Sequence, residues 1–241
     1  IPLIESQRKN TPNILSKPVI LGVVSQVLGR GTTYPTWWSI FVSSGGARRT
    51  PEESLGSEID QYDAEGALLA ILLGYIVPAL TSTMSKSSGW TLTWFIYPIT
   101  VSFLRSAYTR LRLRFSGPPK DIQKSYDLGY KITMLSYAIG FIYAAIPHIA
   151  VLVPRLPHPD MLRALLGVDF SVPEDRDTPF TKVVYHAIQW DAVVTFVGSL
   201  VATLSFSRSK YESLKITVWN IASVLIFGTG ASLTGVWAWR E

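Results

Sequence analysis

Apolar residues in this chain gather into six runs of about twenty, near residues 18–42, 64–83, 90–108, 128–153, 180–206 and 216–239, with polar links between them. A helix needs about 20 such residues to cross roughly 30 Å of hydrocarbon. The pattern therefore predicts an all-α fold: a polytopic transmembrane helical bundle of six to seven spans, one transmembrane domain over residues 1–241. The chain opens at Ile1 without a methionine, and a span ahead of it would be the seventh.

The links sharpen the picture. Ile1–Lys17 is polar, with Pro2 and Pro12, and reads as a connector leading to Pro18, a residue suited to a first helical turn. The first span carries Gln26, Arg30 and Pro35 and ends on Trp37 and Trp38, placed for an interfacial aromatic belt. Residues 43–63 are rich in small, charged and turn-forming residues and make a solvent loop. A very short link at Lys86 makes spans two and three an antiparallel hairpin, and Pro98 is expected to kink span three. Residues 154–179 are proline-rich, with a short surface helix expected over 159–168. No internal repeat is present.

Composition agrees. The 241 residues are 48% hydrophobic and 16% charged, against roughly 25% charged in an average soluble domain. A net charge of +5 does not imply nucleic acid here, because the basic residues sit between spans. Arg110, Arg112, Arg114, Lys120 and Lys124 crowd the 109–127 link, as expected of a cytoplasmic loop facing anionic lipid. Tallied over alternate loops, Lys and Arg are nearly balanced, so density alone favours that orientation. With no cysteine there is no disulfide and no thiolate chemistry.

Ionisable groups deep in a membrane helix are costly unless paired or facing a cavity, so each is a functional candidate. Asp191 lies near the middle of span five and is the lone carboxylate inside any span. A carboxylic acid in an apolar, aromatic setting is poorly solvated as the anion and can act as a Brønsted acid. The alternative is a structural Asp paired with Arg30 or bonded to a neighbouring helix. His186, Gln189 and Trp190 precede it, and His186 is placed to relay a proton or hold a substrate oxygen. Gln26 and Arg30, four apart, are expected on one helix face turned away from lipid. Arg30 as a counter-ion would favour the anion of Asp191, in conflict with the acid role.

Other polar residues have plainer readings. Asn220 suits a buried helix-to-helix hydrogen bond, Lys131 and Arg105 suit snorkelling, and Asp60, Asp63 and Glu65 suit helix capping or a cavity mouth. His148 is expected at a membrane edge. Tyr75, Trp94, Tyr97, Tyr137, Tyr143, Tyr185, Trp190 and Trp219 offer an aromatic lining able to stabilise a passing cation, or ordinary packing. No Asp-rich diphosphate motif, Walker A loop, HExxH or GxSxG occurs. No metal site and no cofactor is expected, which leaves proton-initiated chemistry on an apolar substrate.

Several stretches carry a family resemblance: VILGVVSQVLGRGTTYPTWW in span one, LLGYIVPAL in span two, HAIQWDAVVTFVGSL in span five and the closing SVLIFGTGASLTGVWAWRE. In these the chain resembles the integral-membrane terpene cyclases of fungal meroterpenoid pathways, of the ascofuranone and macrophorin type. The resemblance implies cyclisation of a farnesyl chain on an aromatic or polyketide-derived head, by protonation of a terminal epoxide or alkene without metal. Better-known relatives use two acids, and the second has no clear counterpart here. Asp191 would protonate the substrate, while Gln26, Arg30, His186, Gln189 and Trp190 would bind it or tune the acid. Expected partners are a prenylated apolar substrate, the lipid bilayer, expected to be that of the endoplasmic reticulum, and other pathway enzymes. The rival readings are a small proton-coupled transporter and a non-catalytic membrane assembly protein.

Overall fold

The structure, a computed structural model, describes residues 1–8, 11–47, 58–85, 87–158, 160 and 179–241. Among these the regular elements are all helical: α1 (Pro2–Glu5), α2 (Pro18–Leu28), α3 (Arg30–Ser43), α4 (Gln61–Ile71), α5 (Val77–Ser85), α6 (Ser88–Phe95), α7 (Tyr97–Ser116), α8 (Ile122–Leu152), α9 (Phe180–Thr203), α10 (Lys210–Phe227) and α11 (Thr229–Arg240). A π turn over Leu72–Ile76 joins α4 to α5, and 3-10 turns extend α8 and α9. The surface helix expected over 159–168 lies outside the described residues, Asp160 apart.

Three rods are long and apolar enough to cross a membrane: Gln61–Ser85, Ile122–Arg155 and Phe180–Phe206. They match the second, fourth and fifth apolar runs. The other three runs are helical but broken, so three helices, against the six to seven expected, are by themselves long and apolar enough to span. Gly29 interrupts the first at φ +83°, and Gly228 the sixth at φ +87°. The third is interrupted at Ile96, and Pro98 then occupies the first turn of α7, where its missing N–H leaves no bond unmade. The helix is thus broken just ahead of Pro98 rather than kinked by a bond lost within it.

The break at Gly228 reverses the chain. Trp219 Nε1 donates to the Ser232 carbonyl at 3.1 Å, Ser232 Oγ donates to Asn220 Oδ1 at 3.0 Å, and Gly235 sits against the Trp219 ring. Those pairings make α10 and α11 an antiparallel hairpin, so the sixth run is no single pass. The tip is closed by His148, whose ring would lie 2.9 Å from any Cβ at Gly228. Asn220 Nδ2 also donates to Thr203 Oγ1 at 3.0 Å, the helix-to-helix bond expected of it.

Trp37 and Trp38 do not form an interfacial belt. They are 5% and 3% exposed and pack into an aromatic core with Phe41, Phe206 and Trp237. Trp38 and Trp237 centroids are 5.5 Å apart, those of Phe206 and Trp237 4.9 Å, and Trp38 Nε1 donates to Ser199 Oγ at 2.8 Å. Each such aromatic pair is worth about 0.5–1.5 kcal/mol beyond its buried area.

The opening segment is also no simple connector. Leu3, Ile4, Glu5 and Arg8 are buried, because the charges on Glu5 and Arg8 are matched inside the bundle. Arg8 bonds Glu5 at 2.9 and 3.0 Å and also pairs with Glu241, while Arg240 lies 3.2 Å from Glu5, donates to the Gly46 carbonyl at 2.6 Å and sits 4.4 Å from the Trp237 ring. Burial works against the charge on Arg8, but Glu5 and Glu241 together hold its guanidinium above the ordinary value.

Spans two and three form the expected hairpin, with Ser82 and Thr91 hydroxyls 2.9 Å apart across it. Asp60 caps α4 through the Asp63 N–H at 3.0 Å, as expected. Glu65 accepts from the Tyr108 hydroxyl and from Arg112 on α7, which locks the two helices together.

Candidate active-site cavity

The local sequence Gly29–Arg30–Gly31 sets the site. Positive φ at Gly29 ends α2 and lets α3 begin at a new angle, leaving its first N–H groups without a partner in the helix. Asp191, on α9, supplies that partner: Gly31 N–H donates to Oδ1 at 2.7 Å and Arg30 N–H to Oδ2 at 3.1 Å. The carboxylate can come this close because neither flanking residue has a Cβ. One at Gly29 would lie 2.6 Å from Oδ1, and one at Gly31 3.0 Å from it. A carboxylate at a helix N-terminus also gains from the helix dipole.

Asp191 and Arg30 are thus brought together, but not as an ion pair. It is the Arg30 backbone that meets the carboxylate. The residue itself lines a cavity of about 280 Å³ between α2, α3, α7, α8, the π turn and the opening segment. Asp191 is not among the residues lining it. Gln26 does not join Arg30 on one face, since Gly29 breaks the helix between them, and it too lies off the cavity lining. His186 and Trp190 engage each other: the indole N–H donates to His186 Nε2 at 3.0 Å, one turn apart on α9. Gln189 is half-buried and is not part of the cavity wall.

What the cavity does contain is a group of tyrosines. Tyr34 of α3, Tyr75 of the π turn and Tyr97 of α7 line it together with Arg30. Tyr75 meets Tyr97 edge-on at 5.0 Å between centroids and Tyr143 at 5.9 Å. Leu21, Gly22, Ile71, Pro98, Val101 and the first four residues make most of the remaining wall apolar. Tyr137 forms another part of the wall, and its buried hydroxyl has no hydrogen-bond partner among the described residues.

The π turn explains how Tyr75 comes to be there. Pro78 has no N–H to offer the Gly74 carbonyl, and the Val77 N–H reaches back five residues to Leu72. The extra residue in that turn rotates the wall of the helix at Tyr75, a common use of π turns at functional sites. Gly74 meanwhile lets the helix press onto Val101 of α7. Tyr75 and Tyr97 were visible in the sequence as aromatics within spans. Tyr34 was not singled out, and its signal was the Arg30 one turn before it.

Tyrosine hydroxyls that share a cavity with an arginine can offer hydrogen-bond donors to an oxygen of a bound molecule. Among the described residues, no group of three or more His, Asp and Glu side chains is placed to hold a metal ion.

A FAD-dependent monooxygenase, BOA8 of Botryotinia fuckeliana (strain B05.10), is 27% identical over 190 residues, covering 73% of this chain. The match amounts to 23% of the monooxygenase's length, so the chain corresponds to under a quarter of that protein. No solved structure matches. The pattern that defines the CtvD domain, by contrast, matches residues 1–241, and the chain belongs to the CtvD-domain family, which is linked to fungal secondary-metabolite biosynthesis.

Proposed function

We propose that the chain is a membrane-bound terpene cyclase that closes rings on a farnesyl chain carried by an aromatic or polyketide-derived head, triggered by acid activation of a terminal epoxide. The observation that carries this reading is that Tyr34, Tyr75, Tyr97 and Arg30 line one largely apolar cavity. Tyr34 and Tyr97 donate hydrogen bonds to the epoxide oxygen, and Arg30 stabilises the negative charge that develops as the C–O bond lengthens. The π electrons of a chain alkene form the new C–C bond. The oxygen takes up a proton and becomes a hydroxyl, and a proton lost from the final cation restores the balance. Facing aromatic rings stabilise the cation in between.

Two considerations favour the epoxide over the alkene. A phenol, with an ordinary pKa near 10, is too weak an acid to protonate an alkene, whereas donors placed at an epoxide oxygen need only share its developing charge. A relative named as a monooxygenase also suits a pathway in which oxygenation comes first. In this reading Asp191 is a positioning residue. It accepts the first N–H groups of α3 and so fixes where Arg30 stands.

The test is incubation of the purified, reconstituted protein with an epoxidised and a plain farnesylated phenol. Cyclised alcohol from the epoxide alone is expected. Turnover of neither substrate, or of the plain alkene only, refutes the proposal. The transporter reading retains one specific support in the broken helices at Gly29 and Gly228. Proton-driven uptake into proteoliposomes, without product formation, would establish it instead.

A further inference from the structure

Outside the bundle, α10 and α11 enclose a second cavity of about 360 Å³, lined by Lys215, Ile216, Trp219, Gly235, Val236 and Trp239. It is separate from the tyrosine cavity and shares no residue with it. The Trp219 ring packs directly on Gly235, where a Cβ would stand 2.5 Å from it, and so forms one wall of the groove. The outer positions of α10 around it, Leu214, Val218, Ile221 and Leu225, are between 57% and 62% exposed. Such a face suits contact with hydrocarbon.

One end of this groove is cationic. Lys215 is exposed, its ammonium 4.4 Å from the Tyr211 ring, and no carboxylate pairs with it among the described residues. Arg208 stands in the adjoining link and Lys210 opens α10. The nearby acid, Glu212, is already committed: Oε2 accepts the Arg208 N–H at 2.6 Å, and its own N–H donates to Ser209 Oγ, the reciprocal bonds of a helix cap. A cationic rim above an aromatic, apolar slot complements a molecule with an anionic head and a hydrocarbon tail. Basic pockets between membrane helices bind lipid head groups in this way.

We infer that this groove binds one anionic glycerophospholipid, its phosphate on Lys215 and one acyl chain against Val236 between Trp219 and Trp239. The site buttresses the α10–α11 hairpin, whose inner face carries Asn220 and Trp237. It stands independently of the proposed reaction.

The test is native mass spectrometry of the protein released from nanodiscs holding equal amounts of phosphatidylserine and phosphatidylcholine of the same chain length. One retained phosphatidylserine is expected. Lys215→Ala should lower its preference over phosphatidylcholine by about fivefold, Lys215→Arg should restore it, and Trp239→Ala should reduce retention of both lipids. Unfolding temperature, read alongside, keeps a misfolded variant from counting as loss of binding. Unchanged preference in a folded Lys215→Ala protein overturns the assignment. So does a dimer cross-linked through position 239, or an equal stabilisation by glycerol phosphate without chains.

Discussion

Substitution of Asp191 separates two roles that the sequence alone leaves joined. As the cap of α3, Asp191 accepts N–H groups at 2.7 and 3.1 Å. Removing an N-cap acceptor costs about 0.5–2 kcal/mol, and loss of a negative charge at a helix N-terminus adds about 0.3–1 kcal/mol, up to about 2 when partly buried. Both contributions are lost together in Asp191→Ala, which should cost about 2–3 kcal/mol. At about 2–4 °C per kcal/mol for a chain of this size, its Tm should fall by roughly 5–10 °C in a thermal unfolding assay. Asp191→Asn keeps one oxygen acceptor and should lose about half as much. Activity should drop through Arg30, so that adding Asp191→Asn to Arg30→Met has little further effect on turnover. A proton donor behaves oppositely: Asp191→Asn would then abolish turnover at an unchanged Tm. That second outcome would refute the positioning role.

Other consequences can be checked with the same preparations. Tyr34→Phe or Tyr97→Phe, singly, should lower kcat by about 10²–10³ with little change in KM, since each removes a donor needed most in the transition state. Equal kcat in both variants would remove the tyrosines from the chemistry. Gly29→Ala combines a left-handed backbone with a 2.6 Å clash on Asp191 and should destabilise at least as much as Asp191→Ala, measured by the same unfolding assay. Arg8→Met removes the Glu241 ion pair and leaves Glu5 to Arg240, and should cost about 3 kcal/mol, read from denaturant or thermal unfolding. Tyr137→Phe should be neutral or stabilising by about 1 kcal/mol, because it removes a buried hydroxyl that has no partner.

The helices of this protein were legible because hydropathy reports burial in lipid, and the six apolar runs coincide with six helical segments. Their breaks were not. Glycine is ordinary within membrane helices, so neither Gly29 nor Gly228 looks different from Gly140 or Gly198 until the partner side chain is in place. Asp191 was conspicuous as an isolated acid, yet its partners are backbone N–H groups, which every residue carries and no sequence pattern marks. The tyrosine group was hidden for another reason. Tyr34, Tyr75 and Tyr97 come from three separate helices, and their meeting depends on a π turn whose only trace is Gly74 followed four residues later by Pro78. The opening segment misled because its charges suggested solvent, whereas Glu5 and Arg8 find opposite charges at the far end of the chain.

The reversal at Gly228 changes how the protein is threaded through a bilayer. In a chain of six straight passes, Arg240 would emerge on the side opposite Arg208, Lys210 and Lys215. Because α11 doubles back, Arg240 returns to lie 4.9 Å from the Phe206 ring at the end of α9, on the same side as those three, and Arg8 is drawn there through Glu241. Gly140 and Thr234 face each other across α8 and α11, and the Gly228 tip reaches His148, so this side is also that of the Arg110–Lys124 link at the start of α8. Basic residues that straight passes would divide between two faces are therefore gathered at one end of the helices.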